Sequence, residues 1–307
     1  MGLVTEPGGL NESSFNGLAL VGLSRAAHDL DVKTLVAVPS ANEDAAACME
    51  RLAGGGCALV IAVGESLAGD VRRAAARHPR TRFAIVDAVV PAQNVRSLVF
   101  RTEQAAFLAG ALAARMTRSR VVGFVGGRRT PAVKRYEAGF RAGAARGNYK
   151  VKVLVAYAGG FDDPSAGKRL AAAQFDGGAD VVFHAAGGCG IGVIEEVRGR
   201  EGCWAIGSDS EQDGLVRGRV LVSVLKRVDV AVLACIHDLK AKRFQAGTRR
   251  YDLRNSGVAI SDLAWSRDSI PPRVLQHVQQ WKEQVRTGRI VVPERPPTVA
   301  RAREKQS

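Results

Sequence analysis

The chain is short of aromatic residues, 6% of 307, and its five cysteines show no paired spacing. An odd count without Cys-x-x-Cys pairs speaks against a disulfide framework and a zinc ribbon. Cys48, Cys57, Cys189, Cys203 and Cys235 therefore read as small buried hydrophobes. No apolar run approaches the ~18 residues of a membrane-spanning helix. The chain starts directly on Leu3-Val4, with no basic segment and hydrophobic leader ahead of it. Two expectations stay open: a cell-envelope protein, periplasmic or lipid-anchored, whose leader has been removed, or a cytoplasmic one. Ribonucleoprotein, zinc-finger and helix-turn-helix signatures are missing too. The net charge of +14 thus reads as arginine-rich solvated helix faces such as VRRAAARHPRTR, with no specific nucleic-acid partner.

What is present is apolar and glycine-rich: 46% hydrophobic residues and 34 glycines. The length allows two lobes of about 130–150 residues, each large enough for its own core. Apolar runs alternate with helical patterns along the chain. TLVAV, CALVIAVG and RFAIVDAVV read as strands, and AACMERLAGGG and SLAGDVRRAAARHP as helices between them. A second series follows Glu103: QAAFLAGALAARM, RVVGFVGG, TPAVKRYEAGFRAGAARG, VKVLVAYAG, DDPSAGKRLAAAQFDGG, DVVFHA and CWAIGSDSEQ. LVSVLKRVDVAVLACIHDLKAKR reads as a strand-edge pair before a long helix. GVAISDL is a late strand and PPRVLQHVQQWKEQVRTG a last helix.

Two βα series imply an α/β chain of two doubly wound parallel-sheet lobes. The first takes residues 1–102 and about 230–262, the second 103–229. The segment 263–290 is expected near the hinge, and 293–307, rich in proline and charge, is expected to be disordered. Ligands in such sheets bind at the carboxyl ends of strands, which line the cleft when two lobes face each other. The stretch DVVFHAAGGCGIGVIEEV shows the needed geometry, a buried strand, a glycine turn and a helix. Gly187 and Gly188 let a ligand approach the backbone, and either Phe183 or His184 is expected to face that edge.

The run GLNESSFNGLALVGL resembles the N-terminal signature of the basic membrane protein (Bmp) family. FRTEQAAFLAGALAA, VVGFVGGRRTPAVKRYEAGFRAGA, FDDPSAGKRLAAAQFDGGADVVFHAAGGCGIGV, WAIGSDSEQ and SVLKRVDVAV match in the same order, covering Gly2 to about Leu263. The resemblance implies a type I periplasmic-binding (Venus flytrap) fold. It also implies a nucleoside held between the lobes and delivered to the permease of an ABC-type importer. Members often carry a lipidated N-terminal cysteine, which this chain lacks; a monomer is the default.

A nucleoside offers a flat base and a ribose diol. Phe15 on one lobe and Phe183 on the other are expected to sandwich the base, each face worth about 1–3 kcal/mol. Asp209, in GSDSEQ, suits a diol because a carboxylate accepts two hydroxyl donors, and the family carries an aspartate there. Lys226 matches the family lysine near the ribose. Its apolar neighbours Val224, Leu225 and Val228 point it into the cleft toward Asp209. Asn11, Asn16 and Glu103 or Gln104 are candidates for reading the base edge, and Gly187 and Gly188 for backbone contacts. The chain departs from the family pattern at Glu211, at Arg128-Arg129 and at Val63-Gly64-Glu65. The arginines leave room for an anionic or larger ligand. Riboflavin, or ligand sensing by a cytosolic regulator of the same fold, are the alternatives. An enzyme would need clustered carboxylates or a placed nucleophile and base. His184 and Cys189 lie across a loose glycine turn with no third orienting group, so neither catalysis nor a metal or cofactor is expected.

Overall fold

The computed structural model describes residues 1–6 and 14–297. The chain opens with β1 (Gly2–Thr5), α1 (Phe15–Leu30), β2 (Leu35–Ala37) and α2 (Ala45–Gly54). Then come β3 (Leu59–Val63), α3 (Ala68–Arg77), β4 (Arg82–Val86) and β5 (Val95–Phe100). Helix α4 (Thr102–Met116) leads into β6 (Val121–Gly126), α5 (Pro131–Gly147), β7 (Lys152–Tyr157) and α6 (Pro164–Asp176). β8 (Val181–Ala185), α7 (Cys189–Glu196), β9 (Trp204–Asp209) and β10 (Val220–Lys226) complete this series. The last elements are α8 (Val228–Lys240), β11 (Gly247–Tyr251), β12 (Val258–Ile260) and α9 (Pro272–Arg286).

Two six-stranded sheets result, ordered β11-β5-β4-β3-β1-β2 and β12-β10-β9-β8-β6-β7. Every pairing is parallel except β12 on β10. Strands such as β3, LVIAV, and β8, VVFHA, are buried at every position because helices cover both faces. Helix starts are set by side-chain caps. Ser14, Asp44 and Thr130 accept from Gly17, Ala47 and Val133 backbone N–H groups.

The segment 230–262 divides between the sheets. β11 extends the first and β12 the second, so the expectation that it goes wholly to the first lobe does not match the pairing. Helix α8 returns to the first lobe and packs on α1, where a Cβ on Gly22 would stand 2.4 Å from the Asp229 carbonyl oxygen. Helix α9 lies against α4. The tail is fixed as far as Glu294, whose carboxylate meets Arg135 at 2.8 Å; residues 298–307 lie outside the described ones.

β10 is a full seven-residue strand rather than an edge pair. Val220 to Lys226 runs straight into α8 with no glycine or proline between them, so the boundary rests on Arg227 alone, at φ −81° and ψ 63°. β11, GTRRY, has four exposed residues and pairs through its backbone with β5 at the sheet edge. No apolar alternation announces it.

Candidate functional site

The carboxyl ends of β1, β3 and β4 in one lobe face those of β6, β8 and β9 in the other, and the polar groups gather there. β4 stops at Val86, and Asp87 turns the chain with φ 69°. β9 ends on Asp209, also left-handed at φ 68°. Non-glycine residues in this region are uncommon and concentrate where a side chain is being aimed. Two aspartates, one per lobe, are presented in this way.

Lys226, at the end of β10, is only 3% exposed, and its ammonium pairs with Asp87 across the lobes. It therefore does not pair with Asp209 as expected. The same ammonium stands 4.3 Å from the centre of the Phe15 ring and 5.3 Å from that of Phe100. Two ring faces and one carboxylate thus stabilise a charge taken out of water. Asp209 has a different partner: the Tyr136 hydroxyl donates to it at 2.6 Å. Burial, and then the Asp209 charge, hold that phenol well above the ordinary tyrosine range. It stays protonated and donates.

Phe15 opens α1, and Asn16 behind it is 8% exposed. Asn16 Nδ2 donates to the Glu6 carbonyl at 3.3 Å, which fixes the amide orientation. Oδ1 then has no hydrogen-bond partner among the described residues. Asn11 lies outside them. A further cross-lobe contact joins Glu65, just after β3, to the first turn of α5: its carboxylate accepts from Ala132 N–H at 3.4 Å. Burial raises the Glu65 carboxyl, against hydrogen bonds from Thr130 and Ala132.

Other expected residues go elsewhere. Phe183 is fully buried, its ring 5.2 Å from Phe140, 5.5 Å from Phe124 and 6.1 Å from Tyr136. It belongs to the second lobe's core and gives no face to a base. His184 does not face the edge either. The strand continues to Ala185, so these positions lie inside the sheet and alternate between its two covered faces. His184 Nε2 sits 2.9 Å from Gln212 Oε1 beneath the glycine turn, and burial pushes its pKa down to about 4. Gln104 is drawn to the hinge, where Oε1 accepts from Leu253 N–H at 3.0 Å. Glu103, fully buried, is held there between Arg101 at 2.8 Å and Arg135 at 3.3 Å.

Gly187 takes φ 55°, a conformation that favours glycine, and Gly188 caps α7. Both lie against the Phe161 carbonyl. Asp87, Tyr136 and Glu65 are the residues of this cluster least visible in sequence. An acid after four buried apolar residues in RFAIVDAVV was the available sign that the strand had ended. For a metal, Glu211, Asp213 and Asp262 bring ligand atoms within 4.8 Å of one another. Asp213 is already engaged by the Ser223 and Ser261 hydroxyls, at 2.5 and 2.7 Å.

Residues 2–294 match the family model described as ABC transporter substrate-binding protein PnrA-like. The chain is similar to the ABC transporter nucleoside-binding protein BmpA of Lactococcus lactis, 33% identical over 95% of this chain and 88% of that protein. It is equally similar to the CD4+ T-cell-stimulating antigen of Listeria monocytogenes, 33% identical over 96% of this chain and 88% of that one. An ABC transporter solute-binding protein of Aeropyrum pernix superposes with a TM-score of 0.85, at 27% identity over 95% of this chain and 93% of that chain. The two parallel-dominated sheets are those of the type I periplasmic-binding fold. On a family match from the second residue to the hinge-binding tail, this chain belongs to the Bmp family of PnrA-like ABC transporter substrate-binding proteins.

Proposed function

We propose that the protein captures a nucleoside, purine in preference, between its lobes and hands it to an ABC-type permease at the cell envelope. The observation that carries this reading is Asn16 Oδ1, a buried acceptor with no donor among the described residues, one position after Phe15 at the start of α1. A flat base bearing an N–H group satisfies both at once: its face on Phe15, its donor on Asn16. Asp209 is the natural acceptor for a ribose diol, held in place by the Tyr136 hydroxyl. The nucleoside-binding name of the Lactococcus relative agrees with this. Release follows from opening of the lobes, and binding shifts the open–closed equilibrium toward the form a permease would recognise. With Phe183 in the core, the second aromatic face is not part of the proposal.

Thermal shift against purine and pyrimidine nucleosides, free bases and riboflavin tests the reading. A ligand at about 100 times its dissociation constant adds about 2.7 kcal/mol. Purine nucleosides should raise the melting temperature, and Asp209→Ala should abolish the rise. A shift by riboflavin alone, or by free bases as strongly as by nucleosides, would refute it.

A further inference from the structure

Two guanidinium groups stand at the second lobe's end of the cleft without an ion pair among the described residues. Arg128 and Arg129 follow the Gly126-Gly127 end of β6 and precede the Thr130 cap of α5. Both are exposed, and among the described residues neither has an ion pair, although most arginines near the hinge do, as Arg101, Arg135 and Arg227 show. They are nevertheless held in place. The Arg129 guanidinium lies 4.2 Å from the centre of the Tyr157 ring, and that of Arg128 lies 5.9 Å from the Phe161 ring.

The rings in turn rest on glycine backbone: a Cβ on Gly126 would stand 2.5 Å from Tyr157, and one on Gly127 2.3 Å from Phe161. Phe161 also accepts from the Cys189 N–H at 3.1 Å, so the platform is joined to the Gly187-Gly188 turn. Stacking of this kind orders a guanidinium while leaving its N–H edge unsatisfied, and that edge matches the oxygens of a phosphate in a bidentate fashion. A neutral nucleoside offers that edge only uncharged acceptors, which bind it more weakly. The acidic group nearest in sequence is Glu137, whose carboxylate accepts from the Tyr157 hydroxyl and from Arg141, and no ion pair joins it to Arg128 or Arg129.

We propose that Arg128 and Arg129 form an anion subsite at the cleft mouth, so that the protein takes a nucleoside monophosphate in preference to the bare nucleoside. This rests on the nucleoside reading and narrows it. Titration calorimetry at low salt with adenosine, adenosine 5′-monophosphate, ribose 5-phosphate and inorganic phosphate, on the wild type and on Arg128→Gln/Arg129→Gln, separates the two. The monophosphate should bind about tenfold tighter than adenosine, an advantage that shrinks as salt screens it. In the double variant the advantage should vanish while adenosine affinity is unchanged, which also shows that the variant is folded. Equal binding of adenosine and its monophosphate, or an advantage that survives the double substitution, overturns the subsite and leaves the nucleoside reading standing. Binding of ribose 5-phosphate or inorganic phosphate without either adenine compound overturns both, as does binding of none of the four.

Discussion

Tyr136 does two jobs with one side chain. Its ring packs on Phe183 in the core, and its hydroxyl reaches the aspartate at the end of β9. Tyr136→Phe keeps the first and removes the second. A hydrogen bond to a charged group contributes about 1.5–3 kcal/mol. Asp209 is half-exposed and can turn to water, so the lower end applies. Calorimetry should show nucleoside affinity falling about tenfold, with the melting temperature within a few degrees of wild type. His184 gives a pH signature. Its folded pKa is depressed from an ordinary 6.5 to about 4, so the folded chain refuses a proton that the unfolded chain accepts. Stability is unaffected above pH 6.5 and declines as pH falls from there to 4, by about 3 kcal/mol in total. Urea midpoints measured from pH 7 to 4 should show this decline in wild type, and His184→Asn should remove that part of it.

Elements meet through backbone where glycine allows it. α4 and α5 lie so close that a Cβ on Gly143 would stand 1.9 Å from the Phe107 carbonyl oxygen, and one on Gly110 2.2 Å from that of Phe140. Gly143→Ala must push the helices apart and should lower stability by about 1–3 kcal/mol. Gly54, near the end of α2, has nothing within 4 Å of that position. Gly54→Ala should therefore raise stability by about 0.5–1 kcal/mol. Differential scanning calorimetry on the pair tests both signs. The same scale shows what the sequence could reveal. The βα alternation was plain in runs like CALVIAVG, because a strand covered on both faces must be apolar throughout. β11 was hidden because its pairing is a backbone matter and its side chains face water. The role of Phe183 was misjudged because strand ends are uncertain by a residue or two, and a shift of that size decides whether a ring lies in the cleft or in the core. The motifs marked Asp209 and Lys226 as strand-end residues and Phe15 and Asn16 as the start of a helix, and the structure places them so, though Lys226 pairs with Asp87 and not with Asp209. Asp87 was not legible, since a partner 139 residues away in sequence leaves no local trace.

The two lobes are joined partly by one ion pair. Lys226 and Asp87 are both desolvated, with 3% and 10% of their side chains exposed. Removing one partner of such a pair strands the other at a cost of about 3–5 kcal/mol. Here the stranded charge has an escape, because opening the lobes returns it to water. Lys226→Met should thus act on closure rather than on folding. Small-angle scattering should show a larger radius of gyration, and Asp87→Asn/Lys226→Met should recover part of the compaction. An unchanged radius with a sharply lower melting temperature would count against this. The hinge carries a different consequence. Arg101 N–H donates to the Tyr251 carbonyl, and Arg227 N–H to that of Gly257, so the segments passing between lobes are tied to one another. Each lobe is built from pieces far apart in sequence. During synthesis the first lobe has its N-terminal strands early, but α8 and β11 emerge only after the second lobe's parallel strands have been made. Until residue 251 leaves the ribosome, β5 is a bare edge and the apolar side of α1 is uncovered. The nascent chain must hold an unfinished lobe in solution while its neighbour folds, and that interval is when a chaperone has a surface to grip.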